Sequence, residues 1–287
     1  MLQQRLITIL IAVPLLLLAL FQLPVRGFML LVFGICLLAA WEWGPLAGFN
    51  TPKQRSQVVI LLALLLVGSL IALPLTTAIS QHPVVRLILG GGVIWWLLAL
   101  HAILRYPQPS ATWMASRGWR LLIGMSTLIP FFWGLLVLRL SVTAVEGHEG
   151  AWWLLYALLL VWSVDIGGYI VGRLLGQHAL LPLVSPGKTW EGLWGGLLLA
   201  LFTAYGLLSY GPLPKASPLL WMLSALLVAL SAVVGDLTES MFKRTVGVKE
   251  SGQLIPGHGG ILDRIDSLTA AIPIFACLRL WLLTGSH

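Results

Sequence analysis

Trp152–Leu175 reads WWLLYALLLVWSVDIGGYIVGRLL, with Asp165 and Arg173 as its formal charges. A run of about 18 or more mostly apolar residues marks a helix that crosses a bilayer, so this stretch decides the fold class. Comparable runs lie on either side of it, at Leu6–Leu23, Val25–Trp41, Val58–Leu73, Val84–Leu104, Leu121–Leu138, Gly192–Ser209, Leu219–Val234 and Leu268–Leu283. The expected architecture is an all-α polytopic membrane protein with about nine transmembrane helices. Composition agrees: 59% of the 287 residues are hydrophobic and 9% charged, against about 25% charged in a soluble domain. The first run is read as a retained span, since its only cation is Arg5, no small-residue cleavage site follows it and further spans come after.

Lys and Arg on alternate sides of these spans give the orientation, because positive loops stay in the cytoplasm. One side holds Arg5, Lys53, Arg55, Arg105, Arg117, Arg120, Arg173, Lys188, Lys243, Arg244, Lys249 and Arg264; the other holds Arg26, Arg86, Arg139, Lys215 and Arg279. The split of 12 to 5 predicts a polar site on the cytoplasmic side of a bacterial inner membrane. The net charge of +7 lines one membrane face without interleaved aromatics, which favours anionic lipid headgroups as partners and excludes nucleic acid.

Residues 1–150 read as an N-terminal set of about five spans and 151–287 as a C-terminal catalytic region of about four. Trp41 and Trp43, and Trp95 and Trp96, suit interfacial belts. Cys36 and Cys277 fall in apolar spans and read as inert. Gly168, Gly172 and Gly176, and Gly192 and Gly196, recur every four residues, the small-residue pattern of close helix crossings. Gly90–Gly92 mark either a kink or a crossing.

Chemistry concentrates in GDLTESMFKRTVGVKESGQLIPGHGGILDRIDS, Gly235–Ser267, which carries 9 of the 27 charged side chains. Asp236, Glu239, Ser240, Lys243 and Arg244 share one helical face, carboxylates first and cations two turns later. That face suits a divalent metal beside phosphate, although exposed i,i+4 ion pairs would use the same residues. Pro256–Gly260 forms a glycine loop where backbone N–H groups could approach an anion. Asp263, Arg264 and Asp266 then open a helix. One Asp would suffice as a cap, and two flanking an Arg suggest ligands. Asp165 is an ionisable residue within a span, by default a functional group. In SPGKTWEG, Ser185–Gly192, Lys188 follows a turn, but the first glycine of a phosphate-binding P-loop is absent and no strand is expected before it.

Together these strings resemble the phosphatidate cytidylyltransferases, also called CDP-diacylglycerol synthases. The resemblance rests on Ser240, Lys243 and Arg244, then Lys249, Pro256–Gly260, and Asp263, Arg264 and Asp266, with SPGKTWEG and DIGGY at Asp165 beside them. Glu250 stands where that family usually has Asp and Gly168 where it usually has Ala, so Glu250 is left outside the ligand set. The resemblance implies transfer of a cytidylyl group from CTP to phosphatidate with Mg²⁺. It implies catalytic roles for Asp236, Ser240, Lys243, Asp263 and Asp266, with Asp236, Asp263 and Asp266 as metal ligands. Asp165, Ser185, Lys188, Arg244, Lys249, His258 and Arg264 would contact substrates, and a homodimer is compatible with it. The competing readings are an ion-coupled transporter, from Asp165 and the glycine-rich helices, and a CTP-dependent lipid kinase that moves the γ-phosphoryl.

Overall fold

A computed structural model describes residues 2–73, 75–107, 116–141, 148–213, 217–254 and 259–280, with residues 2–9 as backbone. Nine α-helices appear among the described residues: α1 Leu2–Phe21, α2 Val25–Leu46, α3 Pro52–Ala72, α4 Pro83–Arg105, α5 Arg117–Arg139, α6 Glu149–Leu175, α7 Trp190–Tyr210, α8 Pro218–Thr245 and α9 Leu262–Leu278. Local sequence explains their starts. Thr51 and Gln54 form a reciprocal capping box before α3, Thr189 accepts from the Gly192 amide before α7, and prolines occupy the first turns of α3, α4 and α8.

Seven helices, α2 to α8, are long and apolar enough to cross a membrane, so the chain is a polytopic integral membrane protein. In a bilayer, helices satisfy every backbone polar group internally. α8 runs beyond the expected end at Val234 and carries Asp236–Arg244 as helix, as the spacing of those charges predicts. α9 starts six residues before Leu268, at Leu262, because carboxylates cap its first turn.

Packing sorts the helices into centre and rim. In its most apolar stretch α5 is 72% buried and α3 17%, which puts α5 in the core and α3 against lipid. The core crossings set glycine against proline: a Cβ on Gly92 of α4 would lie 2.7 Å from Pro130 Cβ, and one on Gly134 of α5 would lie 3.2 Å from the Pro273 backbone. Gly92 therefore marks a close crossing.

The tightest crossing joins α6 to α7. Added Cβ atoms at Gly167 and Gly196 would each sit 2.6 Å from a backbone oxygen, of Gly195 and Val164 respectively, and one at Gly192 would sit 2.8 Å from Gly168 O. The recurring glycines are this interface. Gly196→Val should separate the two helices and destabilise the bundle by about 1–3 kcal/mol, read as a lowered melting midpoint in detergent. An unchanged midpoint would remove the crossing from the account.

Two sequence expectations change. Trp43, Trp95 and Trp96 are buried and not interfacial; the Trp43 indole donates to Arg120 O and that of Trp95 to Thr127 Oγ1. The N–H groups of Trp43 and Trp95 found partners inside the bundle, which makes their burial affordable. Among the described residues, Trp119, Trp190 and Trp194, near helix starts, are the exposed ones. Ala179–Leu181 (β1) and Ser185–Thr189 (β2) form an antiparallel ribbon between α6 and α7, so a strand does precede Lys188. Pro186 disfavours helix at Ser185 and keeps the segment extended.

Hydrogen bonds join the end of α2, the start of α5 and the start of α9: Trp43 to Arg120, Arg120 to Leu46, and Leu262 to Glu42. These termini therefore share one end of the bundle.

Candidate active site

The α6–α7 crossing and the ribbon bring Asp165 and Lys188 against α8. Glu191 fastens the ribbon's base, accepting from the backbone amides of Gln177 and His178 and meeting His178 Nδ1 at 2.6 Å. Arg244 Nε donates to Val184 O at 3.3 Å and ties the ribbon's turn to the end of α8. Lys188, just before the Thr189 cap, is thus aimed at α8. Its Nζ lies 2.6 Å from Asp236 Oδ2.

A cavity of about 260 Å³ opens there, with Asp165, Lys188, Asp236 and Ser267 among its polar lining and Gly168, Gly187 and Gly192 leaving room in its walls. Asp165 lies within the fields of both Asp236 and Lys188. Ser240 donates to Asp236 Oδ1 at 3.3 Å, so both oxygens of that carboxylate are engaged. Asp266 faces Asp236 and Glu239, which gathers carboxylates from α8 and α9 on one side of the cavity.

A second cluster adjoins the first. Lys243 donates to Glu239 Oε2 at 2.7 Å and to Asp263 Oδ1 at 2.8 Å. Asp263 also accepts from the amides of Ser251 and Gly260, at 3.0 and 2.9 Å to Oδ2. Burial pushes the Asp263 carboxyl up, but Lys243 and these amides outweigh it and hold the group below the usual carboxylate range. Gly259, at φ +78°, supplies the left-handed turn beside it.

The two lysines differ in what releasing them costs. The side chains of Lys188 and Asp236 are 29% and 28% exposed, and such a pair contributes at most about 1 kcal/mol. Those of Lys243, Glu239 and Asp263 are 12%, 4% and 10% exposed, where breaking a pair is far more costly. Lys188 is the exchangeable cation, and Lys243 is a fixed one.

The structure thus gathers Asp165, Lys188, Asp236, Ser240, Asp266, Lys243 and Asp263 in two adjoining clusters. Ser185 sits at the start of β2, Arg244 serves the ribbon, and Lys249 and Arg264 are exposed; none of these four lines the cavity. His258, with Pro256 and Gly257, lies outside the described residues. The sequence reading missed Glu42, a buried carboxylate on α2 that accepts from the Leu262 amide at 2.7 Å. A signal was present: an acid between two tryptophans at the end of an apolar run.

The model of the Cytidylyltransferase family matches residues 3–282. A protein of Haemophilus influenzae named phosphatidate cytidylyltransferase is 40% identical over 99% of this chain and 100% of its own length. A protein of that name from Pseudomonas aeruginosa is 41% identical over 98% of this chain and 97% of its own. Another from Staphylococcus haemolyticus is 34% identical over 75% of this chain and 89% of its own.

Proposed function

The chain belongs to the cytidylyltransferase family, and from that premise we propose that it makes CDP-diacylglycerol and pyrophosphate from CTP and phosphatidate in phospholipid synthesis. The transporter and γ-phosphoryl kinase readings give way to nucleotidyl transfer. One observation supports the site above all: a half-open Lys188–Asp236 pair at the wall of a cavity lined by a second carboxylate, Asp165.

A phosphate oxygen of phosphatidate attacks the α-phosphorus of CTP. The bond from that phosphorus to the bridging oxygen breaks, and pyrophosphate leaves with the electron pair. A phosphomonoester has a second pKa of about 6, so its oxygen is charged at neutral pH and needs no strong base. Positioning and charge compensation remain for the protein. Lys188 exchanges Asp236 for a substrate phosphate at little cost. Ser240 offers a hydroxyl beside it, and Arg244, Lys249, Arg264, Ser185 and His258 would contact the incoming substrates.

The donors suit Mg²⁺, a hard ion bound through one or two carboxylates with phosphate and water oxygens completing its shell. Among the described residues no three His, Cys, Asp or Glu side chains gather to hold a metal alone, so substrate phosphates would have to complete the shell. Asp236 and Asp266 would hold it, with Asp263, which Lys243 and two backbone amides fix in place, adding its charge beside them. Bound there, Mg²⁺ would neutralise developing charge on the phosphates.

With nine spans, α1 and α9 also crossing, the 12 to 5 charge asymmetry supports a cavity that faces cytoplasmic CTP in a bacterial inner membrane. Purified protein given phosphatidate, Mg²⁺ and CTP labelled at either the α- or the γ-phosphate tests the reaction. Label from the α-position should enter lipid, cease on chelation with EDTA and resume with added Mg²⁺. Lipid labelled from the γ-position, or not at all, would overturn the proposal.

A further inference from the structure

We infer that Glu42 is a positioning residue for the acidic site, capping α9 from the opposite half of the chain. The inference rests on the cytidylyl-transfer reading for its kinetic consequences, but its geometry stands alone. Glu42 lies near the end of α2 and is 2% exposed. Its Oε2 accepts from the Leu262 amide at 2.7 Å, across 220 residues of sequence, and the Ile261 amide also faces the carboxylate. These are orphan N–H groups at the start of α9, the positive end of its dipole. Most caps come from a residue adjacent to the helix. This one comes from another helix, so the origin of α9 is fixed relative to α2.

The surrounding loop is shaped to admit this side chain. A Cβ on Gly252 would lie 2.3 Å from Glu42 Oε1, and its other nearest contacts, at 2.6 and 2.8 Å, are also Glu42 atoms. A Cβ on Gly260 would meet Glu42 Oε2 at 2.5 Å. Gly252 has no positive φ, so contact with Glu42, not backbone conformation, is what its missing side chain relieves. Glu42 and Asp263 divide the loop's amides between them: Glu42 takes Leu262, and Asp263 takes Ser251 and Gly260. Asp263 and Asp266 occupy the first turn and a half of the helix that Glu42 anchors. A carboxylate 220 residues from Leu262 in sequence, yet touching the start of their helix, sets where both acids stand.

Glu42→Gln nearly conserves shape while weakening the cap, and Gly252→Ala should push the native carboxylate aside. Each should lower the kcat for lipid labelling from α-labelled CTP by about 10- to 100-fold, the usual effect of losing a supporting contact. KM for phosphatidate should stay within about threefold. Hydrogen exchange should quicken in residues 259–266 but not in α5 or α6. Combining Glu42→Ala with Gly252→Ala should cost no more than the worse single change, because both disturb one contact. Parent-like turnover by Glu42→Gln, multiplying losses in the double variant, or faster exchange throughout the bundle would each overturn the inference. If the parent protein labels no lipid, the reaction assignment fails instead, and the exchange measurement still decides whether Glu42 anchors α9.

Discussion

Asp236→Asn is expected to lower CDP-diacylglycerol formation on the order of 10²–10³-fold, the scale of losing one electrostatic group aimed at reacting phosphates, while the protein inserts and melts like its parent. The argument turns on exposure. Asp236 pairs with Lys188 at 2.6 Å, but both side chains are more than a quarter exposed, so the pair adds at most about 1 kcal/mol to stability. Asparagine keeps an oxygen for Ser240 and nearly the same volume. What disappears is a formal charge on the cavity wall. Since Lys188 is then freer to meet phosphate, KM for CTP should not rise, and the loss should fall on kcat and on the Mg²⁺ concentration needed for half-maximal rate. Turnover within about threefold of the parent, or a rise in KM alone, would remove Asp236 from the catalytic set.

Asp263→Asn should also abolish Mg²⁺-dependent turnover with the protein still inserted, but here stability should fall as well. Asp263 receives Lys243 and two backbone amides. An amide nitrogen in place of one oxygen turns a donor toward donors. Glu239 still holds Lys243, so the expected cost is about 1–3 kcal/mol, the penalty for leaving buried donors unmatched. The melting midpoint should drop, and exchange should quicken at Ser251 and Gly260. Near-normal activity would refute the assignment. Because the native carboxyl is held below its ordinary pKa of about 3.9, its contribution is complete above about pH 4. It is lost only as pH falls through the depressed native value. A fall in rate between pH 7 and 5 would therefore need another group.

The contrast between these two acids could not be read from their spacing. Asp236 and Asp263 look alike in sequence, each opening a charged helical stretch. Only burial separates an exchangeable pair from a fixed one. Lys188 and Lys243 likewise read as equivalent phosphate binders, yet one borders the cavity and the other is held between two carboxylates. Arg244 was legible as a cation on the right face of α8, but its Nε is used on the ribbon, whose extended conformation Pro186 and its neighbours favour and periodicity did not reveal. Glu42 carried a visible sign, an acid in an apolar setting, though nothing local names Leu262 as its partner.

The amino-acid sequence by itself determined the membrane class, the approximate helix limits and the helical face from Asp236 to Arg244. These follow from forces that act within a segment. Long apolar runs must close their backbone hydrogen bonds as helices in lipid, and spacing assigns residues to faces. The tertiary structure alone decided the pairings of Lys188 with Asp236, Lys243 with Asp263 and Glu42 with Leu262. Those contacts depend on how closely helices cross, which the backbone approach at Gly167, Gly192 and Gly196 sets for α6 and α7. A crossing distance is a property of two surfaces in contact, and neither strand of sequence contains it alone.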